Sequence, residues 1–128
     1  EAWTVAKKSN LDLEKTFKGI AASSGNSFVH ETESQVILNG SYNINFTMDL
    51  VLKDTGLFDD LAKKLNAPLE ISPKIVEIFK DGQKKYGSRA WSSMIVKRME
   101  DLNNIDFRAR GFPEELIDNE PEEKGYEI

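Results

Sequence analysis

Phe46-Thr-Met-Asp-Leu-Val-Leu-Lys-Asp-Thr-Gly-Leu-Phe-Asp-Asp-Leu-Ala-Lys-Lys-Leu65 is the strongest helical pattern in the chain. Wound at about 3.6 residues per turn, it sets Leu50, Asp54, Leu57, Leu61 and Leu65 on one stripe, with Val51 and Phe58 beside it. That spacing predicts a face turned to the core. Asp54 is the misfit, because a carboxylate in the middle of an apolar face costs several kcal/mol unless it is paired or opens on a wet cleft. Lys53 stands at the edge of the stripe, about 100° round the helix. The Lys53-Asp54 step therefore departs from a plain packing pattern.

Helical patterns extend on both sides. Upstream, Ala2, Val5 and Ala6 line one side of an opening helix with Trp3 next to them, and no capping residue precedes it. Asp12 is a good cap for a helix from Leu13 to about Ala22, buried through Leu13, Phe17, Ile20 and Ala21. Ser23-Ser24-Gly25-Asn26-Ser27 reads either as a helix stop with a cap or as backbone N–H groups open to an anion. Phe28, Val29, Val36, Ile37 and Leu38 mark a further helix that ends at Asn39-Gly40. His30 lies in it among Glu31 and Glu33 and reads as a bystander on a charged surface. Thr47 is expected to cap the central helix, with Asp49 in its first turn.

Downstream, Asn66 and Pro68 stop the central helix. Ser72-Pro73 starts the next, a serine cap with proline at the first helical position. Ile75, Val76, Ile78 and Phe79 form its expected buried face, and Gly82 weakens its second half. Trp91 to about Leu102 is predicted as the last regular helix, with Trp91, Met94, Ile95, Met99 and Leu102 inward, and Asp101 free to pair with Lys97 or Arg98. No strand alternates for long enough to build a sheet. The expected fold is all-α, about six helices in short-looped antiparallel packing.

Past Leu102 the composition changes. Phe107, Phe112, Pro113, Leu116, Ile117, Tyr126 and Ile128 are scattered through acids without a period. Residues 103–128 read either as an arm that docks Phe112 and Tyr126 on its own or a neighbouring subunit, or as a solvated acidic tail.

Composition excludes several classes of function. The chain of 128 residues has no cysteine and one histidine, so thiolate nucleophiles, disulfides and Cys- or His-based metal sites are out. A net charge of −5 argues against nucleic acid as the main partner, and Arg108-Ala-Arg110 is too short to be a basic patch. No apolar run approaches the roughly 20 residues of a membrane span, and nothing has the pattern of a signal peptide. A soluble, cytoplasmic protein is expected.

The run Phe46-x-x-Asp49-Leu-x-Leu-Lys53-Asp54-x-Gly-Leu57, followed by Leu65-x-Ala67-Pro68-Leu69, resembles a segment of the helical C-terminal domain of 3-hydroxyisobutyrate dehydrogenases and the wider β-hydroxyacid dehydrogenases. The likeness extends from Glu1 to about Glu100. It implies that residues 1–102 are a helical domain, of the type that also follows the nucleotide domain in 6-phosphogluconate dehydrogenases. The first half to two thirds of a parent enzyme would then precede Glu1. The Gly-x-Gly-x-x-Gly dinucleotide fingerprint and the family's glycine-rich catalytic-lysine pattern do not occur in this sequence. No catalytic residue is therefore assigned.

The resemblance further implies NAD or NADP as cofactor, a small hydroxy acid or semialdehyde as substrate, and a homo-oligomer. It gives Lys53 and Asp54 to the cofactor, Lys53 reaching it and Asp54 orienting it, and Phe46 to the substrate pocket. Two alternatives stay open: Lys53 and Asp54 as a structural ion pair, and the whole chain as a free-standing helical interaction module.

Overall fold

The computed structural model describes residues 1–116 and Gly125. Tyr126, expected as one anchor of the arm, lies outside them. Among the described residues there are six α-helices and one 3-10 turn, with no strand: α1 (Ala2–Lys8), α2 (Leu13–Ala21), α3 (Phe28–Asn39), α4 (Met48–Lys64), α5 (Ser72–Tyr86), the turn (Ser92–Val96) and α6 (Lys97–Asn103). The protein is all-α, as its periodicity predicts.

Local chemistry explains most of the boundaries. The Asp12 carboxylate accepts from the Lys15 N–H at 2.9 Å and starts α2. Ser27 accepts from the His30 N–H at 3.0 Å and starts α3. Gly40, at φ 97°, closes α3 in the left-handed conformation, its N–H returning to the Val36 carbonyl. At α5 the cap differs from expectation. Ile71 is the capping residue and Ser72 the first helical one; the Ser72 hydroxyl instead donates to Asp59 Oδ1 at 2.5 Å, tying the start of α5 to α4. Thr47 does precede α4, but its hydroxyl donates to the Asp49 carboxylate and caps no backbone N–H.

The stretch after Trp91 is not one regular helix. Trp91 is extended (φ −58°, ψ 140°) and pairs antiparallel with Thr47. With the chain pinned there, the next residues wind into the tighter 3-10 turn before α6 begins. Leu102 is exposed, contrary to its expected inward position. Asp101 pairs with Lys97 at 3.3 Å, whereas Arg98 turns to Asp81 of α5 at 2.6 Å.

One core cluster is built from Trp3, Ala6, Leu13, Ile37, Leu38, Tyr42 and Phe107, with Phe17, Ile20, Met94, Met99, Ile105 and Phe112 among the half-buried side chains around it. Neither α4 nor α5 contributes a residue to it. These two helices pack on each other as a hairpin, and α5 joins the rest through the 3-10 turn. Gly82 is the point of closest approach. A β-carbon there would lie 2.6 Å from Ile95 Cδ1 and 3.3 Å from Met48 Sδ, so the residue that weakens α5 in isolation is the one that lets it seat.

The core-facing stripe expected on α4 is therefore corrected. Leu57, Leu61 and Leu65 are 64%, 54% and 68% exposed, and Asp54 and Phe58 are exposed beside them. The helix buries Met48 and Ala62 instead. In the same way Val5, Phe28 and Val29 face outward and Ile75 is only partly covered. His30 is the opposite case. It is buried, stacked between Trp3 and Phe17 with centroids 5.9 and 4.7 Å away. Its Nε2 meets the Phe17 carbonyl at 3.0 Å and its Nδ1 the Ser34 hydroxyl at 3.2 Å. That satisfies both ring nitrogens, so His30 is a packing residue.

Beyond α6, residues 105–112 run back along the bundle as a strap. Phe107 is 1% exposed and sits in the core. Ala109 N–H donates to the Leu38 carbonyl at 3.0 Å, the Asn39 amide donates to the Phe112 carbonyl at 3.0 Å, and Lys7 pairs with Asp106 at 3.1 Å. The Phe112 ring meets Phe17 edge-on at 5.2 Å.

Candidate functional site

The head of α4, with Phe46 just before it and Lys53 and Asp54 in its first two turns, is tied to the segment from Ser88 to Ser92. Met48 N–H donates to the Ala90 carbonyl at 2.9 Å, Asp49 N–H to the Ser88 carbonyl at 3.1 Å, and Ser92 N–H to the Phe46 carbonyl at 2.7 Å. These bonds occupy N–H groups that a helix start would otherwise leave open. Asp49 is held below the usual carboxylate range by the Thr47 hydroxyl and then by Arg89, whose guanidinium lies 3.3 Å away. The backbone of the site is thus braced from a second element, and Phe46 projects from it with its ring partly exposed.

Lys53 and Asp54 lie on the first turns of α4, their side chains 60% and 56% exposed and joined at 3.2 Å. A pair so open to water contributes on the order of 0 to 1 kcal/mol. It neutralises no buried charge, which corrects the expectation that Asp54 interrupts a core-facing stripe. An exposed ammonium paired with an exposed carboxylate can exchange that partner for another anion.

Helical spacing sets Lys53 and Asp54 at the head of the same open stripe that carries Leu57, Leu61 and Leu65. Beside that stripe, Phe58, Pro68, Leu69, Ile71, Ser72 and Ile75 line a shallow depression of about 500 Å³. Glu70 also lines the depression, and neither it nor the stripe belongs to the core cluster. Among the described residues no cluster of His, Cys, Asp or Glu could hold a metal ion. No helix among them is long and apolar enough to cross a membrane.

Sequence reading missed a buried polar node on the other side of the loop that leads to Phe46. Glu100 is 3% exposed and accepts from the Tyr42 hydroxyl, from the Phe107 N–H at 2.7 Å and from Arg108 Nη1 at 2.9 Å. Arg108 Nη2 donates to the Tyr42 hydroxyl at 2.8 Å. Burial, and then the Glu100 carboxylate, push the Tyr42 phenol up to about 12. Tyr42 stands 58 residues from Glu100 and 66 from Arg108 along the chain, so no local pattern announces the node.

Comparison with known proteins agrees with this architecture. Residues 1–99 match the family described as the NAD-binding domain of NADP-dependent 3-hydroxyisobutyrate dehydrogenase. The chain belongs to that family. An L-threonate dehydrogenase of Haemophilus influenzae is 28% identical over 97 residues, which covers 76% of this chain and 32% of that protein. A 2-(hydroxymethyl)glutarate dehydrogenase of Eubacterium barkeri is 30% identical over 106 residues, 82% of this chain and 35% of the relative. The crystal structure of a 3-hydroxyisobutyrate dehydrogenase from Salmonella typhimurium superposes with a TM-score of 0.66 at 28% identity, over 74% of this chain and 34% of that one. The chain thus spans about a third of the length of the relatives it matches. These relatives are dehydrogenases, hence oxidoreductases, and the region of this chain shared with them overlaps the residues that match the NAD-binding family.

Proposed function

We propose that this chain is the helical domain of a soluble, cytoplasmic, NAD(P)-dependent β-hydroxyacid dehydrogenase, and that the open stripe of α4 forms one wall of its cleft. The observation that carries this reading is the stripe itself: charged groups at its head, apolar residues along the rest, and no cover from the chain's own core. When bound, NAD or NADP would supply the hydride acceptor or donor for the substrate carbon that bears the hydroxyl. Lys53 fits an anionic ligand, since its exposed ammonium can exchange Asp54 for a phosphate or carboxylate without breaking any packing. Asp54 holds that ammonium toward the cleft. Phe46, braced through its carbonyl, gives the pocket an apolar side against a small hydroxy acid or semialdehyde. The far half of the stripe, Leu57, Leu61 and Leu65, seats against a second copy in a homo-oligomer.

On this reading the proton-transferring lysine belongs to the upstream part of the parent enzyme. The chain by itself should then leave NAD and NADP unreduced in the presence of a panel of small hydroxy acids. Turnover by the purified chain would contradict the assignment.

Lys53 offers the direct test in the full-length enzyme. Losing a charge-assisted contact of about 1.5 to 3 kcal/mol, Lys53→Ala should raise the dinucleotide KM or lower kcat/KM roughly tenfold to a hundredfold. The melting temperature should stay put, because the exposed pair contributes on the order of 0 to 1 kcal/mol. Phe46→Ala should raise the KM of the hydroxy acid more than that of the dinucleotide. Normal dinucleotide kinetics in Lys53→Ala would remove Lys53 and Asp54 from the site.

A further inference from the structure

Between α3 and Phe46 the backbone enters the left-handed region twice at residues other than glycine, at Tyr42 (φ 55°) and Asn45 (φ 56°). Such conformations persist only where the surroundings over-determine them. Here the determinants are visible. The Tyr42 carbonyl accepts from Ser93 Oγ at 2.6 Å, its N–H donates to the Val36 carbonyl at 3.1 Å, and its buried hydroxyl is held by Glu100 and Arg108. The Arg108 guanidinium also lies 5.2 Å from the centre of the Tyr42 ring and donates to the Ile37 carbonyl at 3.3 Å. Gly40 leaves room for it, since a β-carbon at that position would collide with the Arg108 guanidinium. At the far end of the same loop the Phe46 carbonyl is fixed by Ser92. A set of contacts therefore runs from the strap, through Arg108 and Glu100, to Tyr42, and from the Tyr42 carbonyl through Ser93 and its neighbour Ser92 to the Phe46 carbonyl.

We propose that Tyr42, Glu100 and Arg108 are positioning residues for Phe46: through them the strap of residues 105–112 sets the shape of the loop 40–47, and with it the seat of the Phe46 ring in the substrate pocket. The inference rests on the pocket role of Phe46 proposed above. Phe107 and Arg108 lie beyond the residues 1–99 that match the family. The substrate side of the cleft would thus be tuned by a segment outside the matched domain, while Lys53 and Asp54 on α4 stay untouched.

Tyr42→Phe removes one hydroxyl and keeps the ring in the core. In the chain itself, amide hydrogen exchange should quicken about five- to thirtyfold at Met48 and Ser92, whose bonds clamp the loop. The amide of Leu65 at the far end of α4 should exchange as before. No change at Met48 and Ser92, or equal acceleration everywhere, would overturn the proposal, the second because it signals only lower global stability. In the full-length enzyme Tyr42→Phe should raise the hydroxy-acid KM several-fold and leave the dinucleotide KM unmoved, and Arg108→Lys, which keeps the charge, should do so more weakly. If Phe46→Ala raises the hydroxy-acid KM while Tyr42→Phe does not, positioning is refuted and the pocket stands. If Phe46→Ala itself leaves that KM unchanged, the pocket reading has failed and the proposal falls with it.

Discussion

Phe107→Ala is expected to destabilise the fold by about 3 to 5 kcal/mol, the usual range for emptying a fully buried aromatic site. The ring is 1% exposed and is surrounded by the core built from Trp3, Ala6, Leu13, Ile37, Leu38 and Tyr42. For a domain of this size the loss corresponds to roughly 10 to 20 °C in melting temperature. Phe112→Ala gives the scale. That ring is half-buried and meets Phe17 edge-on, a contact worth about 0.5 to 1.5 kcal/mol beyond area burial. Thermal melts of the two variants should differ several-fold in effect. Equal and small shifts would mean that the strap rests on the bundle without completing its core.

The second large effect is asymmetric between the partners of one ion pair. Arg108→Ala should cost about 3 to 5 kcal/mol, because it strands a carboxylate in the interior. Glu100 is 3% exposed and would keep only the Tyr42 hydroxyl and the Phe107 N–H. Glu100→Gln should cost less, about 1 to 3 kcal/mol. The amide keeps an acceptor for the Phe107 N–H, and the Arg108 side chain is 37% exposed and can turn to water. Denaturant unfolding of both variants checks the order. If Glu100→Gln proved the more damaging, the guanidinium and not the carboxylate would be the group that depends on the pair.

The sequence is most legible where the cause is local. Asp12, Ser27, Gly40 and Pro73 act on backbone groups within a turn of themselves, and the helices begin and end near them. Burial is less legible because it depends on partners distant in sequence. His30 is followed by Glu31 and Glu33 along the chain, yet its ring stacks on Trp3 and Phe17 once α1 has packed on α2 and α2 on α3. The stripe on α4 shows the reverse error. Its periodicity is real, but periodicity reports only that a face is apolar. This chain turns that face outward: α4 packs mainly on α5, is tied at its head to residues 88–92, and the core cluster closes without either helix. Of the candidate site, the residues at the head of α4 are readable from their motif. The buried polar node near the loop to Phe46 is not, since Tyr42, Glu100 and Arg108 meet only after the strap has folded back.

The shared burial of Trp3 and Phe107 also governs the order in which the chain can form. The hairpin of α4 and α5 is local and can assemble as soon as both helices exist, whereas α1 finds its full surroundings only with residues near the end of the described chain, as the Lys7–Asp106 pair spans 99 positions. During synthesis α1 can therefore pack on α2 and stack Trp3 on His30 early, but Phe107 completes that core only after most of the described chain has left the ribosome. A ribosome stalled before Ile105 would hold a chain in which α1 already has α2 and the His30 ring beside it, but whose core still lacks the Phe107 ring.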